Sequence, residues 1–244
     1  MRSALLLALL SACPAVAAEP TPFAKFVDDY YSALFDWDPM QATAAGIHDR
    51  DDRLGHRSVA AVHSRVVILQ RLAARLAGLR TGKLSEADAT DAQVLDLAIR
   101  AELLDLETVR DWKRNPMVYL IQPAGGIDLV MKRTFASPEA RLRSIIGRLK
   151  ATPPLLTAMR QNVENAPKEF TDLGLIIAKG SVGYFKNDLT TWAKTAAGKD
   201  EKLLAEFETA NKAVIEGFET AVKWLEEDLL PSRRAPTRSA PTRS

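Results

Sequence analysis

The segment DWDPMQATAAGIHDRDDRLGHRS, residues 36–58, connects the first two long amphipathic helices of the chain and decides how they turn. Asp38-Pro39 predicts a helix start, because aspartate caps free backbone N–H groups and proline suits the first helical position. Gly46 predicts the end of this short helix, because glycine adopts the left-handed cap conformation without steric cost. Ser58 predicts the N-cap of the next helix. The charged loop between Gly46 and Ser58 is expected to stay at the surface.

This loop also holds the candidate ligand residues of the chain, His48, Asp51 and Asp52. The three histidines lie at 48, 56 and 63, so they lack the close pair that a zinc site normally uses. The acidic residues lack the alternating pattern and closing glutamate of a calcium loop. We therefore assign no catalytic, cofactor-binding or metal-binding residue. The three candidates form either a ligand site or a structural corner that fixes the angle between helices.

Outward from this loop, apolar residues recur every three or four positions, and no strand-like alternation is present. The pattern predicts an all-α fold, a bundle-like array of long amphipathic helices. Apolar residues cover much of the circumference of the helix that begins at Ser85, which predicts a central, well-buried helix. Residues 117–126 are expected to form a packed loop, and Pro153-Pro154 to interrupt a helix. The predicted helices cover 21–35, 58–80, 85–114, 137–152, 154–163, 168–195 and 200–230.

The two ends of the chain differ in composition from the rest. Residues 1–18 combine Arg2, the apolar run ALLLALL and a small-residue cleavage site, which is typical of an export signal. We favour cleavage after Ala17 or Ala18, and lipidation at Cys13 is the alternative. Membrane attachment is expected only in the lipidated case. Residues 231–244 contain the repeat APTRS twice and no large apolar residue, so they are expected to be a disordered tail.

The charge balance argues against nucleic-acid binding. The 244 residues carry a formal net charge of +2, but Arg2 and the four tail arginines account for that sign, and residues 19–230 carry −3. A folded domain without a basic excess lacks the electrostatic footprint of a nucleic-acid partner. The expected mature product is therefore a single helical domain, residues 19–230, in the periplasm or secreted.

The order of these motifs resembles the N-terminal half of the secreted bacterial family called domain of unknown function 885. The likeness covers nearly all of residues 22–231. Its matching residues are Phe26, Tyr30, the run PMQAT at 39–43, Gly46-Ile47-His48, Asp51 to Leu54, Ser58, Trp112, Asn115-Pro116, Tyr119, Phe135-Ala136, Arg141-Leu142, Arg148-Leu149, Pro153, Leu156, Ala158, Arg160 and Asn162.

The resemblance implies similarity to zincin-like metallopeptidases, hydrolases about twice this long whose HExxH zinc helix lies in the C-terminal half. This chain contains no HExxH and no histidine after His63. The implied protein is an exported domain, truncated and without catalytic activity of its own, with zinc only in the missing half. A separately encoded catalytic half is one implied partner. Self-association through an apolar face of the helix at 200–230 is the other. The alternative is a free-standing periplasmic binding or scaffold module.

Overall fold

Several helices of the protein begin where the sequence predicts a capping side chain. The computed structural model describes residues 19–229; the predicted export signal at 1–18 and the expected disordered tail at 231–244 lie outside them. Thr21 accepts a hydrogen bond from the backbone N of Ala24 at 3.1 Å, and Ser58 accepts one from Ala61 at 3.2 Å. Asp38 caps the short helix between them. These contacts satisfy N–H groups that have no partner within a helix.

The described residues contain ten α-helices, two π-helical turns and no strand, which confirms the all-α class. None of these helices is long and apolar enough to cross a membrane. The helices are α1 Pro22–Trp37, α2 Pro39–Ala44, α3 Val59–Arg80, α4 Glu86–Leu104, α5 Asp111–Arg114, α6 Met117–Lys132, α7 Pro138–Asn162, α8 Lys168–Lys186, α9 Asp188–Ala197 and α10 Glu201–Trp224; the π-helical turns are Asp105–Val109 and Leu225–Leu229.

Buried apolar side chains form two separate clusters. One lies among α1, α3 and α4, which we call the N-terminal lobe. The other lies among α6 to α10, which we call the C-terminal lobe. The connection formed by α2 and residues 45–58 passes between the lobes, and its Leu54 is buried in the C-terminal cluster. How this connection is fixed therefore determines how the two lobes are joined.

The packed loop expected at residues 117–126 is instead the first part of α6, so that prediction was wrong. Asn115 starts the helix by accepting a hydrogen bond from Met117 N at 3.0 Å. Gly126 is a contact site rather than a turn. A Cβ on it would lie 3.1 Å from Leu54 and 3.2 Å from Arg148, so glycine lets these side chains reach the helix.

Other helix boundaries also differ from the prediction. Pro153 and Pro154 lie inside the continuous α7, because buried residues on both sides of them belong to the same core. The helix expected at 85–114 ends earlier, since Arg110 takes a left-handed conformation with φ of 54°. The helix expected at 168–195 divides at Asn187, and Asn211 donates to the freed carbonyl of Phe185 at 3.0 Å.

The apolar face expected to be exposed on the last helix is covered. Phe207, Phe218 and Leu225 are fully buried against the C-terminal lobe and Trp224 is half-buried, so the first three side chains offer no surface for self-association, which stays a prediction. The exposed apolar residues lie elsewhere, most prominently on α4 and α8. The prediction of a central, well-buried helix after Ser85 was therefore wrong for the outer side of α4, where Val94, Leu97 and Leu104 are exposed.

Candidate functional site

The loop after α2 turns sharply and then crosses the C-terminal lobe. Gly46 ends α2 with φ of 82°, as the sequence predicts. The loop next passes over α7 at Gly147, where a Cβ would come within 2.5 Å of the carbonyl oxygen of Asp52. Close backbone approach of this kind requires glycine, and it places Asp51 beneath the loop, facing α7.

Asp51 is buried, with only 2% of its surface exposed, although the loop was expected to stay at the surface. Its Oδ1 accepts a hydrogen bond from the Thr43 hydroxyl at 2.5 Å. The same oxygen lies 3.8 Å from Nη2 of Arg148. Its Oδ2 lies 2.8 Å from Nδ1 of His48. Both carboxylate oxygens are therefore engaged by other side chains of the protein, which offsets the cost of burying the charge.

Arg148 of α7 supplies the cation of this cluster and is fully buried. Its Nη2 donates to the Thr43 hydroxyl at 2.6 Å, and its Nη1 donates to the carbonyl of Gly126. Burial lowers the pKa of Arg148 to about 10, while the nearby Asp51 opposes that shift. The guanidinium consequently remains charged at neutral pH and ties α2, α6 and α7 together.

His48 closes the outer side of the cluster. Its ring stacks on Phe135, with centroids 3.6 Å apart and planes inclined by 8°. Arg133 lies in the same α6–α7 connection and donates to the carbonyls of Thr43 and Ala44 at 2.9 Å each. The end of α2 is thus held from both sides by the C-terminal lobe.

Of the three candidates from sequence, the structure brings His48 and Asp51 together and leaves Asp52 apart. Asp52 is exposed, and its carboxylate lies 3.7 Å from the exposed Arg53. His56 and His63 are exposed elsewhere, and His63 lines a groove on the N-terminal lobe. Among residues 19–229, no group of three or more His, Cys, Asp or Glu side chains is arranged to hold a metal ion.

A second polar cluster at the end of the same loop was missed by the sequence reasoning. The guanidinium of Arg57 lies 3.9 Å over the ring of Trp37 and donates to the Trp37 carbonyl at 2.9 Å. The carbonyl of Arg57 accepts from Asn162 at 2.6 Å. Arg57 therefore joins α1 in the N-terminal lobe to α7 in the C-terminal lobe.

Tyr119 extends this second cluster into α6. Its hydroxyl accepts from Asn162 at 3.0 Å and donates to the carbonyl of Trp112 at 2.6 Å. Burial raises the pKa of Tyr119 to about 12. Asn162, Tyr119 and Trp112 all stand among the residues that carry the family resemblance, and this was the one signal that could have pointed to them.

A groove of about 500 Å³ lies on the N-terminal lobe between α3 and the first π-helical turn. Val62, Leu106 and Trp112 form much of its apolar floor. Arg110 and Lys113 lie at its edge. The groove is separate from the Asp51 cluster, and its lining also includes His63 and Glu107, whose carboxylate accepts a hydrogen bond from Gln70.

Comparison with known proteins gives two likenesses. A search of curated proteins finds no match. A solved chain from Shewanella oneidensis, described as a "putative lipoprotein of unknown function", matches with a TM-score of 0.77 at 23% sequence identity. The match covers 88% of this chain and 39% of that one, so this chain spans about two fifths of the length of that relative. The family model described as bacterial protein of unknown function (DUF885) matches residues 39–242, and the chain belongs to this family.

Proposed function

We propose that the protein is an exported helical domain that forms the N-terminal, non-catalytic portion of a zincin-like hydrolase. Its residues 36–58 act in this proposal as a structural corner that holds the two lobes in a fixed relation. The catalytic zinc would belong to a further, C-terminal portion, and the domain would have no cofactor of its own.

This proposal rests on the finding that both carboxylate oxygens of Asp51 are engaged by other side chains of the protein. A carboxylate that binds a metal or accepts a proton from a substrate needs an open side. Here the two oxygens are engaged by Thr43, Arg148 and His48, which come from α2, α7 and the loop itself. The family resemblance supplies the remainder of the proposal, since it implies the zinc helix in a portion that would follow these residues.

The proposal is tested on the purified mature chain, by metal analysis and by assays with peptide and ester substrates. We expect no stoichiometric zinc and no hydrolysis. About one zinc per chain, lost on His48→Ala, would contradict the proposal. A reading frame downstream that encodes HExxH should yield a product that copurifies with this chain and hydrolyses substrate only in its presence.

Export is a separate part of the proposal, and its test is the mass of the mature protein. Cleavage after Ala17 or Ala18 gives an unmodified chain that begins near Glu19. Lipidation would instead leave Cys13 as the modified first residue and attach the protein to a membrane. A full-length, unmodified protein in the cytoplasm would contradict export altogether.

The alternative function, a free-standing periplasmic binding module, is favoured by the groove on the N-terminal lobe. Its apolar floor and the cations Arg110 and Lys113 at its edge suit an apolar ligand that carries an acidic group. The fluorescence of Trp112 should report binding of an anionic naphthalene dye to this groove. Dye binding that is abolished by Val67→Glu, at a half-exposed lining position, would support the alternative over the hydrolase portion.

A further inference from the structure

Residues 105–116 carry the chain from the N-terminal lobe to the C-terminal lobe, and they depart twice from regular helix. Asp105–Val109 forms a π-helical turn, and Arg110 after it takes a left-handed conformation with φ of 54°. Both features are uncommon in proteins, and both occur often at functional sites. Leu106, Arg110 and Trp112 of this segment line the groove on the N-terminal lobe. The segment therefore both shapes the groove and joins the lobes.

Trp112 connects the groove to the C-terminal lobe through its backbone carbonyl. Its buried ring forms part of the groove floor, and its Nε1 donates to the carbonyl of Leu106, another floor residue, at 3.0 Å. The carbonyl of Trp112 accepts from the hydroxyl of Tyr119 at 2.6 Å, and Tyr119 belongs to the core of the C-terminal lobe. Because the ring and the carbonyl belong to one residue, a ligand that displaces the ring also disturbs the bond to Tyr119.

Lys113 repeats this arrangement. Its side chain lines the groove, and its carbonyl accepts a hydrogen bond from the backbone N of Glu164, just after α7, at 2.8 Å. The ammonium of Lys113 also lies 3.4 Å from the exposed Glu164 carboxylate, a surface ion pair of little energetic weight. Two consecutive residues, Trp112 and Lys113, thus present their side chains to the groove and their carbonyls to donors of the C-terminal lobe.

The bond between Tyr119 and Trp112 is one link of a longer hydrogen-bonded chain. The Tyr119 hydroxyl accepts from Nδ2 of Asn162 at 3.0 Å, and the same nitrogen donates to the carbonyl of Arg57 at 2.6 Å. Tyr119 and Asn162 are buried, and neither lines the groove. A substitution at either position therefore changes the support of the groove without changing a side chain that a ligand in the groove would touch.

We propose that ligand binding in the groove is coupled to this hydrogen-bonded chain, so that Tyr119 and Asn162 are positioning residues that set the affinity of the groove. The inference rests on the binding function given above as the alternative, and it adds residues outside the groove that regulate the binding. Coupling between two sites is reciprocal, so the contacts that favour binding are themselves stabilised by the ligand. A ligand in the groove therefore makes the junction of the lobes harder to open.

The first test titrates the mature chain with the anionic naphthalene dye. Tyr119→Phe should weaken dye binding at least about fivefold, and the control Tyr184→Phe should leave it within about twofold. Tyr184 is a half-buried tyrosine of the C-terminal lobe whose hydroxyl donates to Sδ of Met131 at 3.8 Å, away from residues 105–116. Asn162→Ala repeats the test at the next link. Circular dichroism establishes that the variants are folded, and a merely structural role would lower the melting temperature without changing the affinity.

The reciprocal test measures the hydrogen exchange of single backbone amides by NMR, with and without saturating dye. The N–H of Glu164 bonds to the carbonyl of Lys113, and the dye should slow its exchange at least about fivefold. The N–H of Asp200 bonds to the carbonyl of Ala197 within the C-terminal lobe, and its exchange rate should stay within about twofold.

The outcomes separate this inference from the binding function on which it rests. A dye that does not bind, or that binds Val67→Glu equally well, overturns the binding function and the inference with it. Dye binding that Val67→Glu abolishes and Tyr119→Phe leaves unchanged overturns the inference alone. Equal weakening by Tyr119→Phe and Tyr184→Phe, or equal slowing of exchange at Glu164 and Asp200, also overturns it, because the effect would then be a general one on the fold.

Discussion

Nη2 of Arg148 lies 3.8 Å from Oδ1 of Asp51, and at most 2% of the surface of either side chain is exposed to solvent. The hydroxyl of Thr43 bridges them, because it donates to the carboxylate and accepts from the guanidinium. The pair joins the loop that leaves the N-terminal lobe to the central helix of the C-terminal lobe. Removing either partner leaves a buried charge without its counter-charge, which is far more costly than losing a surface ion pair.

Replacing Asp51 by alanine should therefore lower the free energy of unfolding by about 3–5 kcal/mol. Asp52→Ala is the matched control, since its carboxylate is exposed and should change stability by no more than about 0.5 kcal/mol. Urea denaturation followed by circular dichroism measures both variants. Equal effects of the two substitutions would mean that Asp51 is not the anchored residue of the loop.

The crossing of the loop over α7 should make Gly147 intolerant of a side chain. Gly147→Ala puts a Cβ 2.5 Å from the backbone of Asp52, and the overpacking should cost about 1–3 kcal/mol. Gly180→Ala in α8 meets nothing within 4 Å and should stabilise the helix by about 0.5–1 kcal/mol. Opposite signs of the two changes in melting temperature are the expected result. A stabilising Gly147→Ala would show that the loop does not lie against α7.

Alkaline pH should destabilise the fold through Tyr119. Burial raises the pKa of Tyr119 from its usual value of 10.0 to about 12, so between these pH values Tyr119 stays neutral in the folded protein while it ionises in the unfolded chain. Its contribution is fully present below pH 10 and is lost as the pH rises toward 12, at about 1.4 kcal/mol per pH unit. The free energy of unfolding of the Tyr119→Phe protein, measured by urea denaturation at several pH values, should fall less steeply across this window. An unchanged slope would contradict the burial of the hydroxyl.

The ends of helices could be predicted wherever they depend only on residues that are close in the sequence. Thr21, Asp38 and Ser58 cap helices as expected, because a cap needs only the residue and its own first turn. The left-handed Gly46 follows from the same kind of signal. The Pro123–Gly126 stretch was misjudged because glycine and proline usually mark turns, and here the core holds them in a helix.

The candidate site was only partly predictable. His48 and Asp51 were singled out together because they lie in the same charged loop. Their anchoring depends on Arg148, and Thr43 and Arg148 are separated by 105 positions in the sequence. No local pattern distinguishes an arginine that reaches across the fold from one at the surface, and Arg65 shows the same difficulty. The spacing of the apolar residues in α3 puts Arg65 on the polar side of that helix, but Arg65 is buried and bound to Glu102 through two hydrogen bonds.

The central claim is that Asp51 and Arg148 form a closed structural anchor between the loop and α7. A double-mutant cycle with Asp51→Asn and Arg148→Met tests it most directly, with the free energy of unfolding measured for all four proteins. The account predicts that the double mutant is less destabilised than the sum of the single mutants, with a coupling of about 1–3 kcal/mol. Additivity within about 0.5 kcal/mol would contradict it, because independent sites show no coupling beyond that.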